Sequence, residues 1–360
     1  MSKNKNRAAN PIAQQRTDED QRAQQGNFRL RLSGIYIIVC LCVSWFFLML
    51  PQGTPNRWYD GNHTSLYLFS YYSRYAMPID PNIDVGLVIF KTRVLSQVLS
   101  GYWLNTTADI IGSQTYTWNG YSFGCIQIAF ALWQASWLFL TLLAIWHFCR
   151  NPLLVVMGTF AGLMYNLTIP SGSWFYPYDG PAMFFFTLAV LLYDGRRILP
   201  LATAVLVGAV IKETVLCCAL LILFGEHWKL KNRIAWFTGI VIAAMAGRQF
   251  LMVAYGVHVF ALPFNESTDV ASFIAKEVHQ IGANIGLLFH LNSLIFANAG
   301  ALVLMFWMGW KTRRDKLFKL LAGAFVLGQF QWGTFCEFRD FFEVLPLGWI
   351  IFSEQISIKK

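Results

Sequence analysis

The chain has 360 residues, of which 56% are hydrophobic and only 13% charged. That is more apolar surface than a soluble domain of this size can bury, so the composition excludes an ordinary soluble enzyme and predicts a polytopic membrane protein. The net charge of +9 raises nucleic acid as a partner, but the Lys and Arg residues sit in short clusters between apolar runs, as the positive-inside rule places them, and that class is excluded too.

Residues 1–27 are rich in Gln, Asn, Arg and Lys and nearly free of aromatics. Such a segment cannot bury enough surface to fold, so it reads as a disordered cytoplasmic tail, and 28–360 as a single transmembrane domain. The apolar run 34–50 directly follows Arg29 and Arg31 and reads as a signal anchor that starts in the cytoplasm. The segment 51–121 then falls outside. Within it, 85–100 sets apolar residues at 87, 88, 90, 94, 95, 98 and 99 against Lys91, Arg93, Ser96 and Gln97. This spacing predicts an amphipathic helix, lying in the headgroup layer or packed on the protein.

Further apolar runs follow at about 122–147, 151–169, 181–193, 198–211, 214–224, 233–255, 285–310, 317–335 and 344–355. Basic groups separate alternate runs: Arg150, then Arg196 with Arg197, then Lys229, Lys231 and Arg233, then Lys311 to Lys316, then Lys359 and Lys360. All of these face the cytoplasm only if 198–224 is a hairpin with its apex at Lys212 and Glu213. The expected fold is therefore all-α: a transmembrane bundle of about ten helical segments, with both termini cytoplasmic. The seven cysteines lie in or beside apolar runs and read as small apolar residues.

Charge inside an apolar run is costly, and such residues usually mark a working site. Lys212 and Glu213 interrupt 198–224, and Asp179 stands at the mouth of the helix that continues with Gly180 and Pro181. Neighbours on a helix do not face each other, so Lys212 and Glu213 are expected to serve different partners, with Asp179 a candidate for Lys212. An N-capping role for Asp179, and a buried ion pair that only fixes packing, are the plainer readings. The run from Glu337 through Arg339 and Asp340 to Glu343 places four charges at a membrane boundary, more than anchoring needs. Histidines are scattered without ligand spacing, so no metal and no cofactor is expected.

Five short motifs form a set: Tyr59-Asp60-Gly61, Phe90-Lys91-Thr92-Arg93-Val94-Leu95, Tyr178-Asp179-Gly180-Pro181, Lys212-Glu213, and Glu337-Phe338-Arg339 before Leu345-Pro346-Leu347. In order and sidedness they resemble the uncharacterised bacterial multi-pass branch of the GT-C glycosyltransferase superfamily. The resemblance implies an integral-membrane transferase that moves a sugar from a polyprenyl-phosphate carrier to a lipid, glycan or protein acceptor on the outer face. The acidic residue that commonly serves as base in the first outer loop maps onto Asp60, although Gly61 and Asn62 stand where many members carry a second acid. Asp179 becomes the second carboxylate, Lys212 and Arg339 the binders of the lipid phosphate, and Glu213, Glu337, Arg93 and Tyr178 supporting residues. Membrane lipids are the other expected partners. A transporter or flippase for a lipid-linked or anionic solute, and a non-catalytic membrane scaffold, are the competing readings of the same charges.

Overall fold

The computed structural model describes residues 33–42, 93–112, 116–118, 121–123, 125–149, 151–168, 178–255, 278–279, 281–286, 312–332, 341 and 343–357. The expectations for the tail 1–27, for the outer segment 51–92 with Asp60, and for Glu337 and Arg339 fall outside these residues, as does most of the run 285–310.

The described chain is overwhelmingly helical. In order it forms α1 (Ser33–Cys42), α2 (Val94–Ile111), a two-strand antiparallel ribbon of β1 (Tyr116–Trp118) and β2 (Tyr121–Phe123), and α3 (Cys125–Phe148). Then come α4 (Pro152–Thr168), α5 (Asp179–Asp194), α6 (Ile198–Ile211), a 3₁₀ segment (Glu213–Cys218), α7 (Ala219–Phe224), α8 (Leu230–Ala254), α9 (Arg313–Trp332) and α10 (Leu345–Ser357). Prolines mark the starts: Pro152 opens α4, and Pro181, Pro200 and Pro346 sit in first turns, where the missing N–H breaks no bond. At α9, Thr312 and Asp315 cap each other, the Asp315 amide donating to Thr312 Oγ1 at 3.0 Å and the Thr312 amide to Asp315 Oδ2 at 3.1 Å.

Helix α5 is the axis of the packing. It lies against α3, α6, the 3₁₀ segment, α7 and α10, and is buried over most of its length. A ladder of rings, Trp103, Trp133, Trp137 and then Phe184 and Phe185, joins α2 and α3 to it. On the other side α4 packs against α10.

The segment 198–224 is a hairpin. Lys212, at its apex, reaches the first residue of α5, whereas Gly225, His227 and Trp228, just past its end, lie against Tyr193 near the last. Lys212 itself is extended, with φ −148° and ψ 127°, which breaks the helix there. The limbs match in height although one is shorter. The 14 residues of α6 rise about 21 Å, and the six 3₁₀ plus six α residues of the return also rise about 21 Å, because 3₁₀ helix climbs faster per residue.

The end of the bundle opposite the apex is basic. The connections at Arg196, Arg197, Lys229, Lys231 and Arg233 gather there with the start of α9, where Arg314 pairs with both Asp194 and Glu354. Arg196 turns the chain between α5 and α6 with a left-handed φ of 55°. Beside it the His227 imidazole is held below its ordinary range, first by partial burial and then by the Arg196 charge.

One sequence expectation needs correction. The amphipathic helix read over 85–100 is, among the described residues, the first part of a helix running from Val94 to Ile111. Its inner face is mixed: Arg93, Ser96, Gln97 and Ser100 are buried together with Val94 and Val98, while Leu99, Tyr102, Trp103 and Ile110 are exposed. Helix α8 also buries a charge, Arg248, together with Ile240, Ala244 and Met252, while Leu230, Ile234, Ile242, Phe250 and Val253 are exposed. Among the described residues α8 is also the one helix long and apolar enough to cross a membrane by the usual length criterion, and only 22% of its apolar window is buried.

Candidate functional site: a buried cluster of six charges

At the apex end of the bundle three cations and three carboxylates meet. Lys212 Nζ lies 3.0 Å from Asp179 Oδ1 and 2.6 Å from Glu343 Oε1. Glu213 faces the other way and takes two guanidiniums, Arg93 through a two-pronged contact that includes Nε to Oε2 at 3.2 Å, and Arg248 through Nη1 to the same Oε2 at 3.1 Å. Thr214 Oγ1 donates to Glu343 Oε2 at 2.6 Å. Tyr178 links the two halves, its ring centre 4.1 Å from the Arg93 guanidinium carbon and 5.4 Å from Lys212 Nζ.

Each group is placed by the local fold. Arg93 immediately precedes α2, Asp179 is the first residue of α5, and Lys212 to Thr214 occupy the hairpin apex. Arg248 comes from α8, and Glu343 from the turn before α10. Two glycines allow these elements to approach. A Cβ at Gly208 would come within 2.5 Å of Val215 Cγ1 and 2.7 Å of Phe185 Cβ, so only glycine lets the two limbs close beside α5. At Gly180 it would lie 2.5 Å from Gln134 Oε1, so glycine also seats the mouth of α5 on α3.

The cluster is electrically balanced, as buried charge must be. Five of its side chains are no more than 7% exposed, whereas the Glu213 side chain is 23% exposed, so the cluster opens outward there. Lys212 and Glu213 do serve different partners, and Asp179 is a partner of Lys212, as their adjacency in sequence implied. The N-cap position of α5 belongs to Tyr178. The Asp179 carboxylate, one residue further on, serves the ammonium instead.

Of the residues singled out from sequence, Arg93, Tyr178, Asp179, Lys212 and Glu213 are brought together. Asp60, Glu337 and Arg339 lie outside the described residues. Arg248 was not singled out, although the same criterion points to it: a lone charge inside the run Ala243-Ala244-Met245-Ala246-Gly247-Arg248-Gln249-Phe250-Leu251. Glu343 was counted among the outer charges without a role, and its share in Lys212 is a tertiary fact that no local pattern carries.

No protein-family profile, curated protein or solved structure matches this chain. Its function has to be argued from this site and from the motifs.

Proposed function

We propose that this chain is a multi-pass protein of a bacterial inner membrane, with both ends of the chain in the cytoplasm and a GT-C-like helical bundle. In this reading it transfers a sugar from a polyprenyl-phosphate carrier to a lipid or glycan acceptor on the outer face. Supporting the membrane setting are the large apolar side chains exposed along α2 and α8 and the segregation of basic residues to one end, the arrangement expected of a cytoplasmic face. The observation that carries the functional reading is the cluster itself: six charged groups from five parts of the chain, brought together at the end of the bundle opposite the basic one. Ionisable groups at such a depth mark a site unless packing alone explains them, and one buried pair would suffice for packing.

The chemistry is a single displacement at the anomeric carbon. Asp60 takes the proton of the acceptor hydroxyl as the new C–O bond forms, and the bond to the carrier phosphate breaks on the opposite face. The departing lipid phosphate gains negative charge, which Arg339 and the cationic side of the cluster offset. Asp179 and Glu343 hold Lys212 in place, Asp179 Oδ1 lying 3.0 Å from its Nζ, and Asp179 is therefore assigned a positioning role.

The test is to purify the full chain in mild detergent and identify the lipids that remain with it by mass spectrometry. A polyprenyl phosphate, free or glycosylated, is expected to be enriched, and Asp60→Asn is expected to retain that lipid while losing transfer to acceptor. Recovery of bulk phospholipid alone would refute the reading, and retained lipid with undiminished transfer in Asp60→Asn would refute the assigned base.

A further inference from the structure

The Glu213 carboxylate occupies a position that two arginines from different elements define. Arg93 engages it in a fork, Arg248 reaches the same Oε2 at 3.1 Å, and the Arg93 guanidinium is steadied from another direction by the Tyr178 ring. Two guanidiniums converging on one oxyanion is the arrangement by which proteins hold a phosphate ester, whose oxygens accept parallel N–H donors. Glu213 is the most exposed member of the cluster, and it opens the 3₁₀ segment. A 3₁₀ run of six residues exceeds the usual three or four, and it follows the extended break at Lys212. Lys212 is anchored separately by Asp179 and Glu343, so Glu213 can swing out without the apex coming apart.

We propose that Arg93 and Arg248 form a binding site for a phosphate monoester or diester, and that Glu213 occupies it as a tethered stand-in until the ligand displaces it. The site rests on this geometry alone; that its ligand is a lipid rests on the proposed function. A salt bridge kept only for packing predicts that neither probe binds wild type at this site.

The experiment uses the full chain in nanodiscs of phosphatidylcholine and two probes, inorganic pyrophosphate in solution and undecaprenyl phosphate in the bilayer. In wild type the stand-in competes with the probe. If it fills the site nine-tenths of the time, Glu213→Gln raises apparent affinity about tenfold. Arg248→Gln lowers it below wild type, and Glu213→Asp, one methylene shorter, gives an intermediate gain and serves if the Gln variant does not fold. Hydrogen exchange over 213–218 is expected to quicken in wild type when the probe binds, because the 3₁₀ segment is released.

Pyrophosphate binding by wild type that Arg248→Gln weakens and Glu213→Gln tightens supports the site. If wild type retains no polyprenyl phosphate while this gain persists, the site stands and the lipid-transferase reading falls. A gain confined to undecaprenyl phosphate supports the site and names a lipid as its ligand. Equal or weaker binding of both probes by Glu213→Gln and Glu213→Asp, or wild-type affinity in Arg248→Gln, overturns the proposal.

Discussion

Lys212 is shared. Its ammonium sits between two carboxylates, each almost without exposure. Replacing the ammonium by a methyl-terminated chain leaves two buried acids facing each other, so Lys212→Met is expected to cost about 3–5 kcal/mol of stability, the usual penalty for stripping one partner from a buried pair. Adding Asp179→Asn and Glu343→Gln removes the orphaned charge and should restore most of that loss, as read from unfolding midpoints in detergent. A triple variant no more stable than Lys212→Met would show that charge balance is not what the lysine supplies. The residues of this cluster were legible in sequence where a charge broke an apolar run, as at Lys212, Glu213 and Asp179. Arg248 answers to the same rule. The pairing of Glu343 with Lys212 was not legible, because it joins positions 131 apart that only the packing of α10 brings together.

Among the elements, the hairpin 198–224 was legible from the charge pattern, because a single crossing would have carried the basic run Lys229 to Arg233 to the wrong side. The limits of α2 were not. A polar stripe on a helix is ordinarily taken to face water, but in α2 Ser96, Gln97 and Ser100 are buried, so the pattern located the helix but not its inner face. Close contact between elements depends on another feature, the small residues of α4. Gly158 receives the Trp349 ring of α10, and Gly162, one turn on, receives Leu345, so the two small residues let α4 and α10 approach closely. Gly158→Ala drives a methyl into the indole and is expected to lower stability by about 1–3 kcal/mol. Gly239→Ala in α8 is the counterpart. Nothing lies within 4 Å of its Cβ position, so the substitution should gain up to about 1 kcal/mol from helix propensity. Thermal unfolding of the two single variants should therefore shift in opposite directions, and a loss at Gly239 or none at Gly158 would contradict the packing described.

For the whole molecule the decisive property is what its outer surface presents. The buried core is mostly apolar, yet Tyr36, Ile110, Leu199, Ile242, Phe250 and Leu327 are exposed on several helices, an outer surface that the proposed bilayer setting would cover. The charges then sort by end. Basic residues collect where α5 meets α6 and α7 meets α8, and the balanced cluster lies at the hairpin apex. Setting this bundle in a bilayer fixes which reagents reach which residues. In a cysteine-free background, single cysteines at Arg197 and Lys229 should react with a membrane-impermeant maleimide only in inside-out vesicles, since both limbs of the hairpin end on one side. A cysteine at Glu213, the most exposed charge of the cluster, should react from the opposite face, in right-side-out vesicles. Labelling of positions 197 and 229 from different sides would mean that the segment crosses the bilayer once, and the buried charges would then belong to its interior instead of to an outward-facing site. If 197 and 229 share a side and 213 is reached from the other, the apex and its arginines are open to the face on which a lipid-linked sugar is proposed to be used.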